Sequence, residues 1–209
     1  MMLLAWTLTS DSNCIDVGVS KGDMLEQFVR LAPAGRHFAF EPIPEAHALL
    51  VPRFPGVSLH RTALADESGT TTFHHVRSAP AYSGLRERDY PGEMDVELIE
   101  VEVARLDDVL PVDYAPDLIK IDVEGGELGV LRGGLRTLQR HRPYVVFEHG
   151  RGGREHYGTS ADDVYSLLVD DVGLRLFDMD GNGPYSRTEF QTESDGPRWN
   201  WFARPALAR

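Results

Sequence analysis

Cysteine occurs once in 209 residues, at Cys14, so no internal disulfide can form and no cysteine-based zinc site can be built. Lysine is almost as scarce, with Lys21 and Lys120 alone, and arginine supplies the rest of the positive charge. Positive charge as a whole is short: 21 Lys and Arg stand against 33 Asp and Glu, a formal net charge of -12. A phosphate backbone or an anionic bilayer would be repelled at long range, so neither nucleic acid nor membrane is an expected partner. Long apolar runs are also lacking. The opening "MMLLAW" is too short for a membrane span and has no basic flank or cleavage-like segment, which leads to the expectation of a cytoplasmic protein.

What is present is an ordinary globular composition, 42% hydrophobic and 26% charged, without low-complexity tracts or internal repeats. The length suits one well-buried unit, so residues 1–209 are read as a single domain. Apolar, β-branched runs at "CIDVGV", "HFAFE", "VSLHRTAL", "DLIKIDV" and "YVVFEH" read as strands. They alternate with helix-spaced segments at "DMLEQFVRLA", "PEAHALLVPRF", "ELGVLRGGLRTLQRH" and "ADDVYSLLVDDV", the third weakened by Gly133 and Gly134. This is the pattern of an α/β fold with a mostly parallel sheet covered on both faces. Two stretches, "TTTFHHV" and "DVELIEVEVARL", switch to period two and read as an inserted antiparallel pair. With its Gly- and Pro-rich link, the insert, about 70–103, has the composition of a lid. "GLRLFDMD" and "WNWFARPA" are expected to close the sheet as an antiparallel hairpin with a turn-rich link.

In open α/β sheets the ligand lies beyond the carboxyl ends of the strands. "CIDVGVSKGD" places Asp16 and Gly18 at the first such end, with Lys21 and Gly22 leading into the next helix. The glycines are spaced G-x-x-x-G rather than the G-x-G-x-x-G of a pyrophosphate turn. An acid this early would repel a pyrophosphate and attract an ammonium or sulfonium group, both of which S-adenosylmethionine carries. Glu41 ends the second strand, where a carboxylate accepts ribose hydroxyls, and Asp66 after the third has the chemistry to accept from an adenine amino group. Taken singly, Asp16 and Asp66 also read as turn or cap acids.

In order along the chain, "IDVGVSKG", "FEP", "ALAD" with "SGTTTF", "RLDDVL", "DLIKIDVEGGELGVLRGG" and "PYVVFEH" resemble the FkbM family of S-adenosylmethionine-dependent methyltransferases. The resemblance spans about residues 13–149. It implies a class I methyltransferase, Rossmann-like fold with seven strands in the order 3-2-1-4-5-7-6, the seventh antiparallel, and methyl transfer to a hydroxyl of a sugar or secondary metabolite. It also implies that Asp16, Gly18 and Gly22 hold the methionine side of the cofactor, Glu41 the ribose and Asp66 the adenine.

A hydroxyl acceptor needs a base or a metal. The candidates end the fourth and fifth parallel strands: Lys120, Asp122, Glu124, Glu148 and His149. Strand alternation puts Lys120, Asp122 and Glu124 on one side, with Asp122 and Glu124 the pair facing cofactor and acceptor. Lys120, costly to bury alone, is expected to pair with Glu148. Glu127, after Gly125 and Gly126, reads as a helix cap. Asp122, Glu124 and Glu148 could instead hold Mg2+. "DMDGNGPYSRTE" fits a calcium-loop pattern through Asp178, Asp180, Asn182 and Glu189, although a hairpin turn explains the same letters.

The leading expectation is an S-adenosylmethionine-dependent O-methyltransferase with a small-molecule acceptor, and a homodimer is compatible with the sequence. A nicotinamide-dependent oxidoreductase and a non-catalytic S-adenosylmethionine-binding regulatory module are the rivals.

Overall fold

The computed structural model describes residues 7–206, so the "MMLLAW" segment lies outside the described residues. The first strand, β1 (Cys14–Val17), is buried along its whole length, and Cys14 is a free thiol within it. It leads into α1 (Asp23–Leu31), whose Leu25 and Phe28 face the sheet while charged residues stay outside. Next come β2 (His37–Phe40) and α2 (Pro44–Leu50), where Pro44 opens the helix with its φ already preset.

"VSLHRTAL", expected as one strand, is two. Residues Ser58–His60 form β3 beside β2, and Ala63–Leu64 form β4, which pairs in parallel with β6 (Val96–Ala104). The chain turns away from the main sheet at Arg61–Thr62, and the insert is therefore a three-stranded sheet in the order β4-β6-β5. Within it, β5 (Gly69–Val76) and β6 are the antiparallel pair that period-two patterning implies. A short α3 (Leu106–Val109) follows.

The remaining parallel strands are β7 (Leu118–Ile121) and β8 (Tyr144–Glu148). Between them the long helical segment breaks at Gly134 into α4 (Glu127–Gly133) and α5 (Leu135–His141). Gly133 allows close packing there, since a Cβ would sit 2.1 Å from the carbonyl oxygen of Ala65. After β8, α6 (Ala161–Tyr165) continues as a π-helical stretch, Ser166–Asp171.

The C-terminal strands β9 (Leu174–Asp178) and β10 (Asn200–Pro205) pair antiparallel as expected, but α7 (Arg187–Ser194) joins them where a turn-rich link was read. Its start carries a reciprocal cap between Ser186 and Glu189. The full sheet order is β3-β2-β1-β7-β8-β10-β9, with β10 antiparallel to both neighbours. Counting only the seven strands of this sheet, that is 3-2-1-4-5-7-6, the class I methyltransferase order.

One apolar core lies between the sheet and the later helices, with Leu128, Leu131, Val164 and Phe190 packed on Ile15, Ile119 and Val145. A second lies on the opposite face, where Leu25, Phe28 and Leu50 cover Cys14, Ala39 and Leu118. Both faces are thus covered, and the strand ends between the two layers are left to carry chemistry. Among the described residues no helix is long and apolar enough to cross a membrane.

Candidate functional site

A cleft of about 460 Å³ opens at the carboxyl ends of β1, β2 and β7. Gly18, Lys21, Glu41, Asp122 and Glu124 line it, while the insert closes it from above with Phe73, Ser83 and Leu85. Gly18 has φ +76, and a Cβ there would lie 1.8 Å from the backbone oxygen of Asp122. Only glycine lets the β1 turn approach the β7 turn so closely.

Glu41 is 3% exposed, and burial raises its pKa against the opposing effect of its hydrogen bonds. The backbone N–H of Ser20 donates to Oε2 at 2.8 Å and that of Ile43 to Oε1 at 3.0 Å. A carboxylate offers about four lone-pair sites, so acceptor capacity remains on the side facing the cleft. Asp16 is different. It is fully buried, does not line the cleft, and neither oxygen has a hydrogen-bond partner among the described residues.

Asp16 is compensated by Lys120, whose Nζ lies 3.3 Å from Oδ1 of Asp16 and 3.5 Å from Oδ2 of Asp122. The expected Lys120–Glu148 pair is thereby replaced. Asp16 and Lys120 are register partners on adjacent strands and project to the same side, whereas Lys120 faces Val146 on β8. Burial works against the ammonium charge, but Asp16 and Asp122 outweigh it and hold the Lys120 pKa above its ordinary value. Lys120 also donates to the carbonyl oxygen of Gly18, so the pair fixes the β1 turn from beneath.

At the far end, Glu124 has φ 60 and pairs with Arg88 from the insert, a side chain only 6% exposed. Burial raises the Glu124 pKa, and Arg88 offsets this. Arg88 also donates to the carbonyl oxygen of Gly152 at 3.1 Å, and its guanidinium lies over the Tyr82 ring. The Tyr157 hydroxyl accepts from the backbone N–H of Leu85 at 3.1 Å. Two side-chain contacts therefore tie the insert to the acidic end of the cleft.

Glu148 lies beside this end in a small hollow shared with Glu124, Glu127, His149 and Trp199. Its carboxylate makes no ion pair among the described residues. Burial, followed by repulsion from Asp122 and Glu124, pushes its pKa up to about 7. Glu127 also reaches about 7, chiefly through burial, while Oε1 accepts from the N–H groups of Val123 and Gly125. It holds the glycine turn that leads into α4 rather than capping the helix, whose start has no side-chain cap.

The structure does not bring every predicted residue to the cleft. Gly22 begins α1 and Asp66 is exposed outside the lining; Thr62, Ala63 and Leu64 face the cleft near Asp66 instead. His149 is 2% exposed, stacks on Phe190 at 6.2 Å and has Arg154 Nη1 3.5 Å from Nε2. Burial and then Arg154 lower its pKa to about 4, so it is a neutral buried ring rather than a base facing the cleft.

Among the described residues no group of three or more His, Cys, Asp or Glu forms a metal-holding set. Of Asp122, Glu124 and Glu148, the first two are engaged by Lys120 and Arg88. In the calcium-like loop, Asp178 accepts from Asn182 and Tyr185 and pairs with Arg198, while Glu189 caps α7. The letters encode a turn and a helix start.

The methyltransferase FkbM domain model matches residues 16–176, most of the chain. The chain belongs to the FkbM methyltransferase domain family. It is 28% identical over 151 residues to the 2-O-methyltransferase NoeI of Sinorhizobium fredii, covering 63% of this chain and 61% of that protein. It is 32% identical over 135 residues to the hexuronic acid methyltransferase AglP of Haloferax volcanii, covering 63% of this chain and 52% of that one. The chain thus spans just over half the length of these two relatives. The crystal structure of methyltransferase FkbM from Methylobacillus flagellatus superposes with a TM-score of 0.58 at 16% identity, covering 94% of this chain and 44% of that one. At that identity the likeness establishes the fold.

The matched span takes in the β1–β2 end of the cleft together with Arg88, Glu124, Glu148 and Tyr157, but ends before α7, Trp199 and β10. Arg88 and Tyr157 were missed by the sequence reading. "YSGLRERDY" contains two arginines, Arg86 and Arg88, and nothing local distinguishes the one that turns inward.

Proposed function

We propose that the chain is an S-adenosylmethionine-dependent O-methyltransferase acting on a hydroxyl of a small molecule, a sugar or a natural product. The observation that carries this reading is Glu41, buried at the end of β2 with acceptor capacity toward the same cleft that Gly18 and Asp122 line. A nucleoside cofactor fits this wall: a carboxylate for the ribose, close-approaching backbone at Gly18 for the amino acid end, and Ile43, Ala63 and Leu64 as an apolar slot for a base. The names of the two relatives, a 2-O-methyltransferase and a hexuronic acid methyltransferase, support a hydroxylated acceptor.

When bound, S-adenosylmethionine supplies a methyl group already activated on a sulfonium. The chain must align the acceptor oxygen and take up its proton. Asp122 and Glu124 are engaged in ion pairs with Lys120 and Arg88. Glu148 has no such partner and a pKa near 7, which makes it the carboxylate best matched to accept a proton at neutral pH. Lys120 and Arg88 act through these acids by fixing their positions.

Titration calorimetry with S-adenosylhomocysteine tests the reading: one binding event per chain is expected, and no heat from folded protein overturns it.

A further inference from the structure

Three of the chain's aromatic residues are tryptophan, and the two at the β8–β10 end are used differently. Trp201 is fully buried in the core, whereas Trp199 is 36% exposed at the carboxyl end of the sheet. Its indole lies flat on glycine backbone: a Cβ on Gly150 would be 2.9 Å from Cδ2, and one on Gly152 would be 3.5 Å from Cη2. The N–H of His149 donates to the Trp199 carbonyl at 2.7 Å and fixes the approach.

Trp199 borders the hollow that also holds Glu148, Glu124 and His149, and Glu124 lines the main cleft as well, so the two share that residue. The hollow measures about 10 Å³, room for one oxygen atom but not for a ring. The His149 side chain, 2% exposed, lines it, and Nδ1 has no hydrogen-bond partner among the described residues. An aromatic face next to several acceptors and few free donors suits a ligand with an apolar face and many hydroxyl donors. Those are the properties of a pyranose ring. The nearby cations are already engaged: Arg88 with Glu124, Arg154 with Asp195 and Glu155, Arg151 with Asp195, and Arg198 with Asp178. Among the described residues no cation lies within ion-pairing distance of Glu148, so an anionic ring would find no free counter-charge there.

We propose that Trp199 is the stacking platform of the acceptor subsite, which takes a neutral pyranose with one hydroxyl placed between Glu124 and Glu148, and disfavours a uronate. The subsite rests on the methyltransferase reading and adds the substrate class to it.

Saturation-transfer NMR on protein saturated with S-adenosylhomocysteine tests the subsite, using the methyl glycosides of glucose, galactose, mannose and glucuronic acid as probes. At least one neutral glycoside binds, and Trp199→Ala weakens it about tenfold or more. Trp199→Phe retains most of the binding, and the glucuronide binds about tenfold more weakly than the best neutral probe. Both variants bind S-adenosylhomocysteine as the wild type does, which shows that they are folded. Cofactor binding without binding of any neutral glycoside overturns the subsite alone, as does equal glycoside binding by wild type and Trp199→Ala, or a preference for the glucuronide. Loss of S-adenosylhomocysteine binding in the wild type overturns the underlying methyltransferase reading.

Discussion

The two ends of the cleft solve different problems. At the β1–β2 end the acids are compensated: Glu41 accepts from two backbone N–H groups, and Asp16, buried behind the cleft, has Lys120 as its counter-charge. At the β7–β8 end Glu124 is tied to a side chain from the insert, Glu148 is unpaired with a pKa of about 7, and His149 has an orphan nitrogen. A wall whose charges are compensated can hold a ligand of fixed shape without reorganising. An incompletely satisfied one leaves protons and hydrogen bonds for a second molecule.

The contrast is broken most severely at Lys120. Lys120→Met leaves Asp16 as an uncompensated buried carboxylate, with an expected cost of about 3–5 kcal/mol in urea unfolding. Adding Asp16→Asn should recover much of the loss. Arg88→Met is the matching change at the other end. It should cost about 2 kcal/mol, less because the Glu124 side chain is 23% exposed, and should lower kcat/KM through a mispositioned carboxylate. Tyr157→Phe removes the single hydrogen bond to Leu85 and should cost about 1 kcal/mol.

Glu148 gives the subtlest distinction, because it acts through pH. Its folded-state pKa is raised from 4.5 to about 7, so the folded chain binds its proton more tightly than the unfolded chain. The stability associated with that proton is present below about pH 4.5 and is lost as pH rises through about 7. Glu148→Gln should therefore match the wild type in acid and exceed it at pH 8 in thermal unfolding. The wild type is expected to gain methyl transfer as Glu148 loses its proton near pH 7, and the same change should remove that rise.

Much of the fold was legible because buried parallel strands must be apolar on both faces, and "LIKI" and "YVVFE" are continuous or nearly continuous apolar runs. The seven-strand order followed from the family resemblance. The division of "VSLHRTAL" was not legible, since β3 and β4 differ in their partners rather than in their residue types. α7 was missed because Phe190 is its only buried apolar residue, although "SRTE" before it carried the capping signal.

At the site, strand alternation correctly put Lys120 and Asp122 on one face but could not choose between flanking strands. Register decided for Asp16 over Glu148. Position at a strand end likewise did not indicate that His149 packs on Phe190, or that Asp66 remains outside the cleft lining. Those outcomes depend on elements far away in the chain.

The division between a cofactor wall and an acceptor wall is tested most directly by S-adenosylhomocysteine calorimetry on wild type, Glu41→Gln and Glu148→Gln in parallel. The amide in Glu41→Gln keeps one acceptor oxygen but turns an N–H group toward backbone donors, so affinity should fall about a hundredfold. Glu148→Gln should bind within about twofold of the wild type, since that carboxylate lies outside the cofactor end. Equal losses in the two variants, or unchanged affinity in Glu41→Gln, would contradict the account.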